Sequence, residues 1–268
     1  MNPKTGESQA GQALAGLMEL IARLRSPGGC PWDRKQTGLS AAPYLLEEAY
    51  EAVDAIESRD PASICGELGD VLFQVVFQAQ IAKEAGHFDL AQVIDQVRAK
   101  MTQRHPHVFG SQKMENAAQV LELWGEIKGR ERAQAGEGLM QSLPLNAPAL
   151  VRAQRLGKRA ARVGFDWTNS GEVWAKAQEE MDELSQAAGQ KQAEAELGDL
   201  LFAWAQWARH RGINAESALR AANARFVSRF NWLEDCARKE GQGLNGMSPE
   251  DLDRLWERAK AAENDSED

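Results

Sequence analysis

Apolar residues recur along this chain at steps of three and four, the spacing of helices buried on one face. Leu14, Leu17, Met18, Ile21 and Leu24 form the first stripe, and Ser26-Pro27-Gly28-Gly29 ends it with strong breakers. Cys30 to Thr37 reads as a polar, aromatic loop, either pinned by a half-buried Trp32 or free to contact a substrate. The next helix is expected from near Pro43 to Glu57, with Leu45, Leu46, Ala49 and Val53 facing the core, before Arg59-Asp60-Pro61 turns the chain. Another carries Glu67, Asp70, Val75, Val76 and Ala79 to about Ala85, where Gly86 is placed to cap it. Leu90 to Gln103 follows with Val93, Ile94, Val97 and Met101 on one face. After Arg104-His105-Pro106-His107-Val108-Phe109 comes a helix with Val120, Leu121, Trp124 and Ile127.

The pattern then breaks and restarts. Gly136-Glu137-Gly138 and Ser142 to Pro148 punctuate a linker. Beyond it a helix from Ala149 to about Val163 leads into the loop Gly164-Phe165-Asp166-Trp167. An acidic helix from Glu172 to about Ala187, a helix through Glu196 and Asp199 to Arg211, and a basic helix from Ala218 to Leu233 complete the second copy. Arg225 and Arg229 match Lys100 and Arg104, and Trp256 and Lys260 match Trp124 and Lys128. Alternation of period two persists nowhere, so the expected fold class is all-α, two tandem helical bundles. The expected domains are residues 1–135 and 151–268 with 136–150 as linker.

The repeat is closest at Glu67-Leu68-Gly69-Asp70-Val71-Leu72-Phe73 and Glu196-Leu197-Gly198-Asp199-Leu200-Leu201-Phe202. Leu197, Leu200, Leu201, Trp204 and Ala208 form an apolar stripe in the second copy. A glycine inside a helix costs about 1 kcal/mol relative to alanine, so Gly69 and Gly198 are expected where a facing helix comes close. The gap from the acidic helix to this motif is three residues shorter in the second copy, which points to a shorter loop.

Composition narrows the class. The 268 residues are 43% hydrophobic and 26% charged, enough for a packed core. A net charge of −9 argues against a binder of the nucleic-acid backbone. Cys30, Cys65 and Cys236 are odd in number and widely spaced, which suggests neither a disulfide framework nor a zinc site and fits a reducing cytoplasm. Residues 1–13 are polar and Gly-rich, without a signal pattern, and read as a frayed end. No run approaches the ~18 apolar residues of a membrane span.

Each copy joins Glu-Glu-x-x-Glu to Glu-x-x-Asp: Glu47, Glu48 and Glu51 with Glu67 and Asp70, then Glu179, Glu180 and Glu183 with Glu196 and Asp199. Like charges three apart on a helix repel by about 0.2–0.5 kcal/mol per pair, and repeating that cost invites a cation. An all-oxygen, His-free set suits a hard ion such as Mg²⁺ or Mn²⁺, which usually completes its shell with substrate phosphates. Arg225 and Arg229 suit further phosphate oxygens. A di-iron carboxylate bundle would need Glu-x-x-His on two helices, whereas the positions three after these glutamates hold Glu51, Asp70, Glu183 and Asp199, and no Gly-x-x-x-x-Gly-Lys-Ser/Thr run exists. The competing reading is a non-catalytic acidic module that binds a basic partner protein.

These repeats, with Cys30-Pro31-Trp32-Asp33, Ala42-Pro43-Tyr44, Arg104 to Phe109 and Val163 to Trp167, closely resemble the two-domain MazG nucleoside triphosphate pyrophosphohydrolases from about Leu14 to Lys260. The resemblance implies an α-helical, Mg²⁺-dependent, cytoplasmic homodimer that converts nucleoside triphosphates, ATP among them, to monophosphate and pyrophosphate. Nucleotide housekeeping or a stress role would follow, with neither nucleic acid nor membrane as partner. Carried over by motif, the metal ligands are Glu180, Glu183, Glu196 and Asp199, with Glu48, Glu51, Glu67 and Asp70 as the first unit's counterparts. Glu179 or Glu183 is the candidate base, and Lys176, Arg225, Arg229 and Trp256 contact nucleotide. The second unit is expected to be catalytic and the first structural or regulatory. Aligning Glu180 with Glu48 sets Tyr44 against Lys176, and Lys100 stands in for Arg225.

Overall fold

Helix caps decide where the elements of this chain begin. A computed structural model describes residues 3–134, 136–141, 143–241 and 243–264, with side chains from residue 9 onward apart from those of Arg132 and Asn264. Of the expected boundaries, residues 1, 135 and 268 and the linker's Ser142 lie outside the described residues. The helices are α1 (Pro3–Arg25), α2 (Pro31–Lys35), α3 (Gly38–Ser58), α4 (Pro61–Glu84), α5 (Leu90–Arg104), α6 (Pro106–Phe109) and α7 (Ala117–Gln134). They continue as α8 (Ala149–Ala161), α9 (Ser170–Gln186), α10 (Gln190–His210), α11 (Ala215–Lys239) and α12 (Pro249–Asn264). A 3₁₀ turn, Leu244–Gly246, precedes α12, and the described residues contain no strand.

Several expected boundaries move for local reasons. α1 reaches back to Pro3 through the segment expected to fray, where Ala10, Gln12 and Ala13 are good helix formers. α3 starts before Pro43 because Thr37 and Ser40 form a reciprocal capping box, at 3.1 and 2.9 Å. The loop expected over Cys30–Thr37 contains the one-turn α2, opened by Pro31 at its first position. Trp32 is not its pin: the ring is 53% exposed and lies edge-on to Tyr44 at 5.6 Å. The pin is Arg25, whose side chain is only 6% exposed and donates to the carbonyls of Asp33 (2.5 Å) and Gln36 (3.2 Å) while pairing with Glu84.

The shorter gap in the second copy is not a shorter loop. Arg59-Asp60 joins α3 to α4 and Ala187-Ala188-Gly189 joins α9 to α10, so the difference lies in the helices. α3 runs on from Glu51 to Ser58, whereas α9 stops at Gln186, just past Glu183. Asp60 caps α4 through the N–H groups of Ala62 and Ser63, at 3.2 and 3.1 Å, after Arg59 turns through φ 61°. Asn214 caps α11 and starts it ahead of Ala218.

Backbone proximity divides the chain into Met1–Ile127 and Lys128–Asp268. The division falls inside α7, before the expected linker, whose segment stays with the second unit. In the first unit α3 packs on α4, and Ile21, Ala41, Val76, Phe77, Ala79 and Leu90 form the core. In the second, α9 packs on α10 through Val173, Ala177, Ala203 and Ala205, and α12 packs on α11 through Leu255, Ala259, Leu233 and Ala237. The buried positions are largely alanines. Leu46 and Val53, expected inside, are exposed beside buried Ala52 and Ala55, and Leu197 and Leu201 are 46% and 50% exposed beside buried Ala203 and Ala205. Helices that meet through small residues turn their larger apolar face outward, and period alone does not say which face that is. The close approach expected at Gly69 and Gly198 is likewise absent among the described residues, since a Cβ there would meet nothing within 4 Å.

Candidate functional site

The second unit's site is built on the middle of α9 and the first half of α10. Asn169 fixes the start of α9 by accepting from the N–H groups of Gly171 (2.9 Å) and Glu172 (3.1 Å). Thr168 donates to Glu172 through its hydroxyl (2.5 Å) and its backbone N–H (3.0 Å), which lowers the pKa of that carboxyl. Trp174 joins α9 to α10 by edge contacts with Trp204 at 4.9 Å and Trp207 at 5.7 Å, and those two rings meet each other within α10 at 5.9 Å. With the two helices held in this way, carboxylate oxygens of Glu180, Glu183 and Glu196 come within 4.8 Å of one another. Asp199, one turn further along α10, is exposed and lies outside that mutual distance.

Lys176 stands one turn before these acids. Its ammonium donates to Glu180 at 2.7 Å and to Glu179 at 2.9 Å, and those two bonds, Glu180 first, raise its pKa above the ordinary lysine range. Glu180 is 6% exposed and gains a compensating charge from that pair. One cation does not balance three converging carboxylates. Glu183 registers the excess: desolvation, then the charges of Glu180 and Glu196, raise its pKa above the usual carboxylate value. Three oxygen donors on rigid helices, with negative charge left over, fit a hard divalent cation.

The first unit repeats the cluster with Glu48, Glu67 and Asp70 within the same mutual distance, and Glu51 outside it. A neutral amide stands beside its acids. Gln74 approaches Glu48 with an amide N–H at 3.5 Å, and Tyr44, opposite Lys176 in the alignment, packs against Trp32. Of the expected nucleotide contacts, Lys176 is on α9, Arg225 and Arg229 are on α11 and Trp256 is on α12. Arg225 is exposed, while Arg229 pairs with Glu263 at 2.6 Å and lies 6.0 Å over the Trp256 ring, which Phe226 meets at 5.2 Å. Arg229 and Trp256 are thus brought to each other, and neither makes a described hydrogen bond to the carboxylates.

Known proteins place this arrangement. A nucleoside triphosphate pyrophosphohydrolase of Escherichia coli K12 is 45% identical over 256 residues, 93% of this chain and 97% of its own length. A Thermotoga maritima protein named nucleoside triphosphate pyrophosphohydrolase/pyrophosphatase MazG is 41% identical over 255 residues, 95% and 98% of the two lengths. The chain belongs to the MazG nucleoside triphosphate pyrophosphohydrolase family. The family model, the MazG nucleotide pyrophosphohydrolase domain, matches residues 36–109, a span from the cap of α3 to the end of α6. It therefore falls on the first unit and covers Glu48, Glu51, Glu67 and Asp70.

Sequence reasoning missed one cluster of charged residues in the second unit. Asp166 accepts from Arg209 at 3.0 and 2.5 Å and lies 3.0 Å from His210 Nε2, and these partners, Arg209 first, hold its pKa down at about 2. Arg209 Nε also donates to Gln206 Oε1 at 2.7 Å, and the fully buried Gln206 donates to the Ala153 carbonyl at 2.7 Å. The aromatic-acidic loop Phe165-Asp166-Trp167 was the available signal. Its partners lie more than 40 residues away, at separations of 43 and 44.

Proposed function

We propose that this protein hydrolyses nucleoside triphosphates to monophosphate and pyrophosphate at the carboxylates of α9 and α10. Glu180, Glu183, Glu196 and Asp199 would be the ligands of Mg²⁺, with Mn²⁺ as the alternative. The observation that carries the reading is the approach of three carboxylates to within 4.8 Å beside a lysine. A bound Mg²⁺ supplies there the positive charge that a triphosphate's oxygens require. Lys176 orients the buried Glu180, and having three N–H groups it offers the one not used by Glu179 and Glu180 to a phosphate oxygen. Arg225 and Arg229 bind phosphate oxygens, and Trp256 gives the base an apolar face. A carboxylate oxygen of Glu179 or Glu183 takes the proton of the water that attacks the α-phosphorus. The new O–P bond forms as the bond to the bridging oxygen breaks, and pyrophosphate leaves with the electron pair.

Product analysis tests this. Incubation of a nucleotide mixture with Mg²⁺ should release pyrophosphate and monophosphates; orthophosphate with nucleoside diphosphates would refute it.

Two further parts of the reading rest on coarser support. Homodimer formation is supported by the outward-facing Met181, Leu197, Leu201 and Phe202 beside the carboxylates. A cytoplasmic setting is supported by three free cysteines and by the absence, among the described residues, of a helix long and apolar enough to cross a membrane.

We place catalysis in the second unit because a cation stands beside its acids, where the first unit has Gln74 and Tyr44. A second reading, in which the first unit also turns over, is favoured by the family match on residues 36–109 and by the Glu48, Glu67 and Asp70 cluster. The equivalent changes Glu67→Gln and Glu196→Gln separate them. Loss of turnover in the second variant alone supports the asymmetric reading, and equal loss in both overturns it.

A further inference from the structure

Residues 138–165 carry five cationic side chains, Arg152, Arg155, Lys158, Arg159 and Arg162, and no acidic one, in a chain of net charge −9. Four of these, Arg155, Lys158, Arg159 and Arg162, line a cavity of about 380 Å³ together with Lys128 and the buried Leu143. The lining holds no carboxylate and shares no residue with the acidic site on α9 and α10. Among the described residues neither Arg155 nor Lys158 makes an ion pair, although the two stand three apart on α8, and Arg155–Arg159 and Lys158–Arg162 are like-charged pairs four apart. The wall is also anchored, since Arg159 donates to the Leu139 carbonyl at 2.8 Å and so ties α8 to the segment that precedes it. Arg155 and Lys158 also border a second cavity, of about 340 Å³, with Arg209 and Asn214.

We propose that this cavity binds a small oligophosphate, either inorganic pyrophosphate or the phosphate chain of a nucleotide, at a place separate from the hydrolytic carboxylates. Arg155 and Lys158 put two charges on one wall of the cavity, and a phosphate chain presents several charged oxygens to them, which the arginine fork matches two at a time. The volume lies within the about 300–1,000 Å³ of small-molecule sites. A long nucleic acid fits less well, because the net charge of −9 would repel a polyanion that runs beyond the cavity. Occupancy would let the second unit respond to the pyrophosphate or nucleotide around it without engaging the reacting groups.

Titration calorimetry on the full-length protein in EDTA tests the proposal without turnover, with inorganic pyrophosphate, ATP and a single-stranded RNA 20-mer as separate ligands. Pyrophosphate or ATP should bind, and Arg155→Gln combined with Lys158→Gln should weaken that binding at least about tenfold. Both positions are exposed on α8 and glutamine is a good helix former, so the variant's unfolding temperature should match the wild type. Equal affinity for pyrophosphate and ATP identifies the phosphate chain as sufficient, and tighter ATP binding identifies the nucleotide as the ligand; either supports the proposal. Glu183→Gln, which should lose turnover, should keep this binding, so the two readings fail separately. The proposal is overturned if neither small ligand binds, if the double variant binds like the wild type, if Glu183→Gln removes the binding, or if only the RNA is bound.

Discussion

Adding one methyl group at Gly157 should destabilise the second unit, although the same change in an open helix stabilises. A Cβ built on Gly157 would clash with Gln206 Oε1 and stand 2.5 Å from its Cδ and 3.0 Å from Arg209 Nε. The amide has nowhere to go. Its Nε2 is bonded to the Ala153 carbonyl at 2.7 Å, its Oε1 accepts from Arg209 at 2.7 Å, and the residue is fully buried. Displacing it breaks at least one of those bonds and leaves buried polar groups unpaired, at about 1–3 kcal/mol for each. Helix propensity returns about 1 kcal/mol for Gly→Ala. If both bonds are lost the net cost is about 1–5 kcal/mol, which at about 2–4 °C per kcal/mol lowers the unfolding temperature by about 2–20 °C. Thermal unfolding followed by circular dichroism measures this, with Gly16→Ala as the control. A Cβ at Gly16, inside α1, meets nothing within 4 Å, and that variant should be as stable as the wild type or more so. In the background Gln206→Ala, Gly157→Ala should cost nothing, and the difference between backgrounds is the coupling. A Gly157→Ala protein that melts at or above the wild-type temperature would refute the tight Gln206 network.

Three other outcomes are expected. Asp166 is held at about 2, below the carboxylate value of 3.8, so its pairing stabilises fully above about pH 4 and is lost as pH falls from about 4 to about 2. With the side chain 22% exposed, the contribution is about 1–2 kcal/mol after screening, and acid titration of Asp166→Asn should show a correspondingly shallower loss of stability over that range. Arg25→Lys keeps the charge but loses the fork that holds Glu84 and two loop carbonyls at a side chain only 6% exposed; urea unfolding should report a loss of about 2–3 kcal/mol. Lys176→Tyr, which copies the first unit's residue, should raise KM for nucleotide about ten- to a hundredfold, in line with one charge-assisted contact; an unchanged KM would remove the physical warrant for unequal units.

The all-α class, the repeat and the pairing of α3 with α4 and of α9 with α10 were legible in the sequence because helical period and carboxylate spacing are local properties. Residues three apart on a helix share a face whatever surrounds them. That is why Glu180 and Glu183, or Glu67 and Asp70, could be read as convergent before any helix was placed beside another. The choice between two apolar faces was not local. Alanines took the interior and leucines such as Leu197 the surface, because the distance between packed helices selects side-chain size and the period does not encode that distance. Cross-helix partners were equally hidden: Arg25 meets Glu84 across 59 residues and Arg209 meets Asp166 across 43, contacts that exist only once α1 lies on α4 and the loop before α9 reaches the end of α10. Sequence by itself therefore determined the helices and which carboxylates share a helix face. Tertiary structure alone decided their cross-helix neighbours, and with them the approach of Glu196 to Glu180 and Glu183, the neutral amide beside Glu48 and the basic cavity on α8.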